Sequence, residues 1–419
     1  MQTLNERLAT RARALSPSPI RELMPYLSLP GMISLGGGYP NPETFALREI
    51  ALTFRSGRTV CLAGPQVARA AQYGPTPAHG DLGRAILRWQ RHKDGVELAE
   101  DQLVVLNGSQ EGLFVVAYLF LDDSDWIVAS EPIYPGTSSA VRAFCRTIRT
   151  VPLDAQGLRT DELAALLETT ASRGEKPPKF VYDVPSGHNP AGVTLSLERR
   201  RHLLDLARQY DFLVVEDDPY QLLSLDGGEP LPTLQRLEGA PERVIRLDSF
   251  SKIFAPGLRV GYVTGASAIM RKFVLFKQCA NLHTSMTSQE ILSAFMEAHG
   301  VDGFMKLIEE NCMLYRTNRD AMVEAARQYL PPDVTYTVPR HGMFMWFELP
   351  AGFDADRMIQ NDAKDLAVLL VPGSAFAVTR SLANCLRASF SMVSPAEIVE
   401  GMRRFATMID RERARCSSS

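Results

Sequence analysis

The sequence predicts an α/β protein, with a mostly parallel seven-stranded sheet flanked by helices and a smaller α+β domain after it. Seven short apolar runs lie between about residues 100 and 265, at 103–106, 126–129, 147–151, 180–184, 212–216, 244–249 and 259–265. Amphipathic segments such as 195–211 separate several of them. Buried β-branched runs that alternate with amphipathic helices are typical of a parallel sheet covered on both faces.

The pattern changes beyond about residue 300. A long helical stretch at 302–329 leads to the segments "GMFMWFELP", "LAVLLVPG" and "CLRASFSM", which favour a smaller α+β domain. We therefore expect a large domain over 41–300 and a small domain over 301–419. The Pro-rich segment 1–40 is expected to pack on the small domain and on the functional site.

Composition excludes several classes of function. The chain has 419 residues, of which 45% are hydrophobic and 22% charged, and its net charge of −3 gives no basic field for nucleic acid or an anionic membrane. Six scattered cysteines form no CxxC pair and no zinc-ligand spacing, which favours reduced thiols, a cytoplasmic location and no metal. The charged N-terminus lacks the apolar core of a secretory signal, and no apolar run approaches the roughly 18 residues of a membrane span.

Ligands of such sheets bind beyond the carboxyl ends of the strands. The run 103–106 is followed by "NGSQEG", where Gly108 permits a tight turn and Ser109 and Gln110 begin a helix whose free N–H groups favour a phosphate. An ordinary N-cap serine is the commoner explanation of these residues alone. Tyr134 and Asn189 follow two further strands, and packing and turn formation are their plain alternatives.

Two other segments are harder to explain as loops. "FLVVEDDPY" places three carboxylates, Asp217 among them, and then Tyr220 at the end of a buried strand, where an acid needs a partner. A divalent metal is disfavoured because no second cluster of ligands exists. "DSFSKIFAPGLR" places Lys252 after another buried strand, with Arg259 seven positions on. A lysine there is neutralised, paired or chemically used.

One ligand explains these groups together: a phosphorylated pyridine aldehyde, pyridoxal 5′-phosphate. Its phosphate would take the helix N-terminus and Arg259, and its aldehyde would react with Lys252. The remaining groups would hold the ring: Tyr134 by stacking, Asp217 at the ring nitrogen, and Asn189 and Tyr220 at the phenolic oxygen.

The chain resembles the fold-type I pyridoxal-phosphate-dependent aminotransferases, and within them the 2-aminoadipate/kynurenine aminotransferase branch. The resemblance runs from about Pro17 to about Phe405. It rests on motifs that occur in this order: "SPIR", "ISLGGGYPNP", "QYGPTPAHG", "NGSQEG", "EPIYPG", "SGHNPAG", "EDDPY", "DSFSKIFAPGLRVGY", "GMFMW" and "CLRASFS".

The resemblance implies a role for each site residue. Lys252 would be the Schiff-base lysine and proton shuttle, and Asp217 would keep the pyridine nitrogen protonated. Tyr134 would stack on the ring, and Asn189 and Tyr220 would bind the phenolic oxygen. The phosphate would be held by Ser109, Gln110, Ser249, Ser251 and Arg259, together with Tyr73 of the neighbouring subunit of a homodimer with shared sites.

The implied substrates are an L-amino acid and a 2-oxo acid that exchange an amino group by a ping-pong mechanism. Arg387 would bind the substrate α-carboxylate in a bidentate pair, for which an ion pair inside the small domain is the alternative. The side-chain pocket would be lined by Arg21, Gly38, Tyr39 and Phe344, and Asn189 would also touch substrate. The family's "NNPTG" is "HNPAG" here, with His188 and Ala191 as departures, and "FAPG" removes hydroxyls near the phosphate loop.

Three rival functions remain to be compared with transamination. A lyase, a decarboxylase or a biosynthetic enzyme of specialised metabolism could use the same cofactor and fold. An aminotransferase-like transcription regulator is disfavoured because only about sixteen residues precede "PSPIR". A nicotinamide-dependent dehydrogenase is disfavoured because "GGGYPNP" lacks the GxGxxG spacing and opens no helix after a strand.

Overall fold

The computed structural model describes residues 2–417 apart from 20–22, 24–25, 27–28, 34, 37, 229, 239 and 241. The chain divides into two compact units. The first unit contains residues 1–122 and 235–306, and the second unit contains residues 123–234 and 307–419. The domain boundaries expected from the sequence remain a prediction.

Strands and helices alternate through the middle of the chain. The strands are β1 Glu49–Thr53, β2 Thr59–Ala63, β3 Leu103–Leu106, β4 Trp126–Glu131, β5 Thr147–Asp154, β6 Gly157–Leu158, β7 Phe180–Asp183, β8 Leu213–Asp217, β9 Val244–Ser249, β10 Gly261–Thr264, β11 Thr335–Tyr336, β12 Phe344–Glu348, β13 Val371–Pro372 and β14 Cys385–Ser389. The helices are α1 Leu4–Arg7, α2 Thr10–Arg13, α3 Pro65–Ala71, α4 Gly80–Asp94, α5 Ser109–Phe120, α6 Pro135–Arg142, α7 Thr160–Ser172, α8 Leu197–Tyr210, α9 Ser267–Ala280, α10 Met286–Tyr329, α11 Ala355–Leu366 and α12 Pro395–Ser417.

The seven apolar runs of the sequence form strands, as predicted. In the second unit the strand order is β8-β7-β4-β5-β6, and the β8/β7, β7/β4 and β4/β5 pairs are parallel. In the first unit β10 lies between β3 and β9 and is antiparallel to both. Strands β3 to β10, flanked by helices, confirm the fold class. The predicted count and direction need correction, because these strands number eight and their directions are mixed.

The length of the segments that connect the strands explains why their directions differ from the prediction. A parallel pair needs a long crossover, whereas a short turn can join only antiparallel neighbours. Residues 250–260 join β9 to β10 without a crossover helix, so β10 returns beside β9. The eighth strand, β6, follows β5 after a two-residue turn and pairs with it antiparallel. Its two residues are too few for a pattern in the sequence to show it.

The α+β character predicted after residue 300 is present in the second unit. Strands β11, β12, β14 and β13 form an antiparallel sheet in that order, and Trp346 on β12 lies opposite Arg387 on β14. Of the segment "LAVLLVPG", only Val371–Pro372 forms a strand, and its first residue, Leu366, is the last residue of α11. The predicted helix at 302–329 is the later part of α10, which is interrupted at Gly300 (φ 65°).

Two features of the first unit have no counterpart in the predictions. The β1/β2 hairpin pairs Glu49 with Ala63 through Thr53 with Thr59. Residues near α2 also attach to the end of α5, since the Ala9 N–H donates to Leu119 O at 2.7 Å.

No helix in the described part of the chain is long and apolar enough to span a bilayer. Among the same residues no His, Cys, Asp and Glu cluster could hold a metal ion.

A buried charge network supports the end of β9. Asp248 accepts hydrogen bonds from Arg246 Nε at 2.8 Å, Lys93 Nζ at 3.3 Å and Gln90 Nε2 at 3.3 Å. The Arg246 side chain is fully buried and that of Lys93 nearly so. Burial by itself raises the pKa of Asp248, but the charges of Arg246 and Lys93 outweigh it and lower that pKa. The pairing holds the strand end that leads directly into Ser249 and Lys252.

We expect Asp248→Asn to lower the free energy of unfolding by about 3 kcal/mol at pH 7, because two buried cations lose their shared anion. Urea denaturation measures this loss. The folded pKa of Asp248 is lowered, so its contribution is present above the ordinary carboxyl pKa and is lost as the pH falls below it. The gap to wild type should therefore shrink below about pH 4. Asp81→Asn, in the exposed pair with Arg84, is the control. Equal losses in both variants would contradict the argument.

Candidate active site

Strand β8 of the second unit ends on a buried acid. Asp217 is its last residue and is 4% exposed, and the Tyr182 hydroxyl on the neighbouring strand β7 donates to Asp217 Oδ2 at 2.9 Å. Burial, and then the charge of Asp217, raise the pKa of Tyr182 well above its ordinary value. The phenol therefore stays protonated and fixes the carboxylate. Sequence reasoning missed Tyr182, although a tyrosine inside a buried strand needs a hydrogen-bond partner.

Arg387, on β14 of the second unit, is half-buried and lies over two aromatic rings. Its guanidinium carbon is 4.3 Å from the Phe344 ring centroid and 5.0 Å from that of Phe376. Its Nη1 donates to Asn189 Oδ1 at 2.8 Å. Burial lowers the pKa of Arg387, and the nearby phenols Tyr220 and Tyr134 raise it. Phe376 has no signal in the sequence, because it lies in the short 3₁₀ segment Gly373–Phe376.

The Arg387 side chain is incompletely paired. Its Nε is buried and has no hydrogen-bond partner, and no acidic side chain forms an ion pair with it among the described residues. The alternative of an ordinary ion pair inside the small domain is therefore not what these residues form. A half-buried guanidinium in this state can bind a carboxylate in the fork geometry that arginine provides.

Asn189 connects three groups that the sequence predicts for the site. Its side chain accepts from Arg387 and lowers the pKa of Tyr220, whose ring packs edge-on against Phe344 with centroids 5.9 Å apart. Burial, and then the charges of Asp217 and Tyr134, raise the pKa of Tyr220. The second unit thus brings together the predicted residues Tyr134, Asn189, Asp217, Tyr220, Phe344 and Arg387.

His188 fixes the turn that carries Asn189. It is buried, and its Nδ1 accepts from the Ala191 N–H at 3.4 Å while Nε2 lies 2.8 Å from Ser130 Oγ. The acceptor role of Nδ1 places the ring proton on Nε2, which donates to Ser130. Burial lowers the pKa of His188 to about 3, so the ring is neutral at physiological pH. This side chain ties the Asn189 turn to the end of β4.

In the first unit, α5 opens directly after a glycine. Gly108 has φ 81° and is the N-cap of α5, so no side chain caps the first turn. A Cβ on Gly108 would clash with Arg259 Nη2. A Cβ on Gly261 would lie 2.9 Å from Ser109 N. Glycine at these two positions permits this close approach and keeps side chains away from the N-terminus of α5, an end of a helix that favours an anion.

Arg259 adopts a left-handed conformation (φ 55°) beside the same turn. Its Nη2 donates to Asn107 O at 3.2 Å and its Nη1 to Ser251 Oγ at 3.4 Å. The Ser251 N–H donates to Ser249 Oγ at 3.2 Å. Half-buried Lys252 follows in the turn after β9. The first unit thereby brings Ser249, Ser251 and Arg259 to the loop that precedes Ser109 and Gln110.

Other predicted residues of the first unit lie apart from this cluster or outside the description. Tyr73 is half-exposed and packs edge-on against Tyr39 at 6.2 Å and against His283 at 6.0 Å. Gly38 is exposed, with open space where a side chain would begin. Arg21 lies outside the described residues. The substrate roles of Arg21, Gly38 and Tyr39 remain predictions.

Comparison with known proteins gives the family. Residues 62–405 match the family model described as aminotransferase class I and II. The chain is 35% identical to aromatic-amino-acid aminotransferase 1 of Thermococcus litoralis, over 96% of this chain and 94% of that protein. It is 33% identical to the mitochondrial kynurenine/alpha-aminoadipate aminotransferase of Mus musculus, over 96% of this chain and 98% of that one.

A solved structure gives the same result. The kynurenine aminotransferase of Pyrococcus horikoshii, crystallised in complex with PMP, superposes with a TM-score of 0.78 at 32% identity, over 96% of this chain and 97% of that one. The chain belongs to the class I and II aminotransferases. It is a pyridoxal-phosphate-dependent aminotransferase, which confirms the predicted family, enzyme class and cofactor. The alternative of a lyase or decarboxylase is not supported.

The residues of this aminotransferase fit the cofactor. The uncapped first turn of α5 and the Arg259 guanidinium suit a phosphate, and buried Asp217, oriented by Tyr182, suits a protonated ring nitrogen. The unpartnered Nε of Arg387 suits the carboxylate of a substrate. Each of these three protein groups is thus opposite in charge to the part of the cofactor or substrate that it would bind.

We expect His188→Gln to change the pH dependence of stability. The folded pKa of His188 is lowered to about 3, so the unfolded chain takes up the proton first as the pH falls below the ordinary histidine value near 6.5. Stability from this site is thus present above about pH 6.5 and lost toward pH 3, with a slope of up to about 1.4 kcal/mol per pH unit. Glutamine does not titrate, so urea unfolding from pH 7.5 to pH 4 should show a shallower decline in the variant.

Exposed His92→Gln, made on α4, is the matched control. At pH 7.5 the His188→Gln variant should lose about 1 kcal/mol for its weakened hydrogen bonds. A His188→Gln curve parallel to that of wild type over the whole range would mean that the ring is not held neutral.

Proposed function

We propose that this aminotransferase transfers the α-amino group of an aromatic or 2-aminoadipate-type L-amino acid to a 2-oxo acid. The observation that carries the proposal is the half-buried and incompletely paired guanidinium of Arg387, which lies over the rings of Phe344 and Phe376 and has a buried Nε without a partner. A free amino acid and its 2-oxo product both carry the α-carboxylate that this cation lacks. The named activities of the similar proteins from T. litoralis and M. musculus support the choice of side chain.

The residues divide the work between binding and proton transfer. When bound, the cofactor supplies an electron sink that acidifies the substrate Cα–H and carries the amino group between the two half-reactions. Arg387 and Asn189 hold the α-carboxylate and so orient the Cα–H bond. Lys252 would hold the cofactor through its amine, and its Nζ would move the proton at Cα.

Four other side chains keep the site in its working state. Asp217, held by the Tyr182 hydroxyl, maintains the proton on the ring nitrogen. Tyr220 and Asn189 would hold the phenolic oxygen of the cofactor, and Tyr134 would hold its ring. Phosphate is assigned to the first turn of α5 and Arg259, with Ser109, Gln110, Ser249 and Ser251 as further donors.

We propose a homodimer in which Tyr73 reaches the phosphate of the neighbouring subunit. Exposed apolar side chains of the first unit support an interface, among them Leu47, Tyr73 and Phe114. We also propose a cytoplasmic location, which the six free cysteines favour. The mouse relative is mitochondrial, so fractionation of the native cells is the relevant measurement.

Lys252→Ala is expected to abolish covalent attachment of the cofactor. After borohydride reduction, mass spectrometry of wild type should find a phosphopyridoxyl group on the peptide that contains Lys252, and the variant should carry none. Transamination should fall by about 10³-fold or more, because the nucleophile and the proton carrier are the same group. Lys364→Ala, on the exposed face of α11, should retain both. Finding the adduct on another lysine would refute the assignment.

Arg387→Lys is expected to raise KM by about 100-fold, because lysine cannot form the bidentate pair. Steady-state rates with 2-oxoglutarate should be compared for L-phenylalanine, L-kynurenine and L-2-aminoadipate. The increase should be similar for every donor that wild type accepts, because all carry the same α-carboxylate. The control is Arg380→Lys, the same substitution at an arginine whose side chain is exposed. An effect confined to one donor would assign Arg387 to the side-chain pocket, and inactivity of wild type with all three would refute the substrate class.

A further inference from the structure

A carboxylate occupies the same helix N-terminus that we assign to the cofactor phosphate. Glu111 is the third residue of α5, and its Oε2 accepts from the Asn107 N–H at 2.6 Å and from Asn107 Nδ2 at 3.2 Å. Both bonds hold the Asn107–Gly108 turn, whose carbonyl at Asn107 accepts from Arg259. Glu111 therefore shapes the loop, but it also places a negative charge where a dianion would bind.

A buried lysine lies directly behind this carboxylate. Lys277 on α9 is completely buried, and its Nζ is 3.1 Å from Glu111 Oε1 and 3.0 Å from Glu111 Oε2. Its third hydrogen bond goes to Thr284 Oγ1 at 3.2 Å, and that hydroxyl donates to Val105 O on β3. Asn281 Nδ2 also donates to Glu111 Oε1. The ion pair is thus anchored to the strand that leads into the loop.

The two charges depend on each other. Burial lowers the pKa of Lys277, and the charge and hydrogen bonds of Glu111 act against that shift. Without the lysine, Glu111 would be a partly buried anion at the end of a helix, and its field would oppose any second anion there. With the lysine, the carboxylate keeps its hydrogen bonds to Asn107 while its charge is cancelled.

We propose that Lys277 is a positioning residue for the cofactor: it neutralises Glu111, so that Glu111 can clamp the Asn107–Gly108 turn without repelling the phosphate. This inference rests on the proposed placement of the phosphate at α5 and Arg259. Lys277 touches neither cofactor nor substrate in this arrangement. It acts through the carboxylate and the turn.

The test compares cofactor binding with and without the phosphate group. Apoenzymes of wild type, Lys277→Met, Glu111→Gln and the double variant are titrated with pyridoxal 5′-phosphate and with pyridoxal. Lys277→Met should raise the Kd of pyridoxal 5′-phosphate by about tenfold or more and that of pyridoxal by less than about twofold. The double variant, in which neither side chain is charged, should recover to within about threefold of wild type.

Several outcomes would overturn the inference. A structural role alone would change the affinities for both ligands by the same factor, and the double variant would not recover. Glu111→Gln removes only the negative charge, so a loss of pyridoxal 5′-phosphate affinity as large as that of Lys277→Met would also refute it. If Lys277→Met does not fold, Glu111→Gln and the double variant still decide. Lys272→Met, the same change earlier on α9, is the control and should bind both ligands as wild type does.

Arg259→Gln separates this inference from the function on which it rests. If Arg259→Gln weakens pyridoxal 5′-phosphate relative to pyridoxal while Lys277→Met does not, only the inference about Lys277 fails. If neither variant distinguishes the two ligands, the phosphate lies elsewhere and the proposed site itself is wrong.

Discussion

The incomplete pairing of Arg387 is the constraint on which the chemistry of this aminotransferase depends. A guanidinium removed from water is stable only when its donors find acceptors. Asn189 satisfies one nitrogen, and the faces of Phe344 and Phe376 offset part of the lost hydration. Nε is left for a substrate carboxylate. Without substrate this unpaired donor costs free energy, and a bound α-carboxylate removes that cost, which favours ligands that carry an α-carboxylate.

Two buried charged side chains of the second unit, Arg200 and Glu131, each make several hydrogen bonds. Arg200 donates to Leu195 O, Pro232 O, Pro185 O and Ser186 Oγ, which stabilises the segment before the Asn189 turn. Glu131 accepts five hydrogen bonds from Thr150 and from residues 378–380. Burial raises the pKa of Glu131, yet these bonds outweigh it and lower that pKa. Because the Ile133 N–H also donates to Phe376 O, this carboxylate helps to place the ring beneath Arg387.

Sequence reasoning succeeded where a residue's place follows from the strand it ends. Asp217 is the last residue of β8, and Ser249 is the last of β9, so apolar runs were enough to put them at strand ends. It failed where partners come from distant segments. The partner of Tyr182 is Asp217, 35 positions away, and that of Phe376 is Arg387, 11 positions away. Lys277 pairs with Glu111, which is 166 positions away. No local periodicity contains such pairs, because only tertiary packing brings them together.

The departures from the family motif show how one turn can be held by different chemistry. A threonine in the usual "NNPTG" offers a hydroxyl, and Ala191 offers none. Here the Ala191 backbone N–H donates to His188 Nδ1, and the ring passes its own proton to Ser130 on β4. The imidazole of His188 therefore provides the hydrogen-bond acceptor for the backbone of this turn, and a hydroxyl at position 191 is not needed. Such a bridge works only while the ring is neutral, since a protonated Nδ1 could no longer accept. Burial of His188 is therefore part of how Asn189 is positioned, and through Asn189 it bears on Arg387.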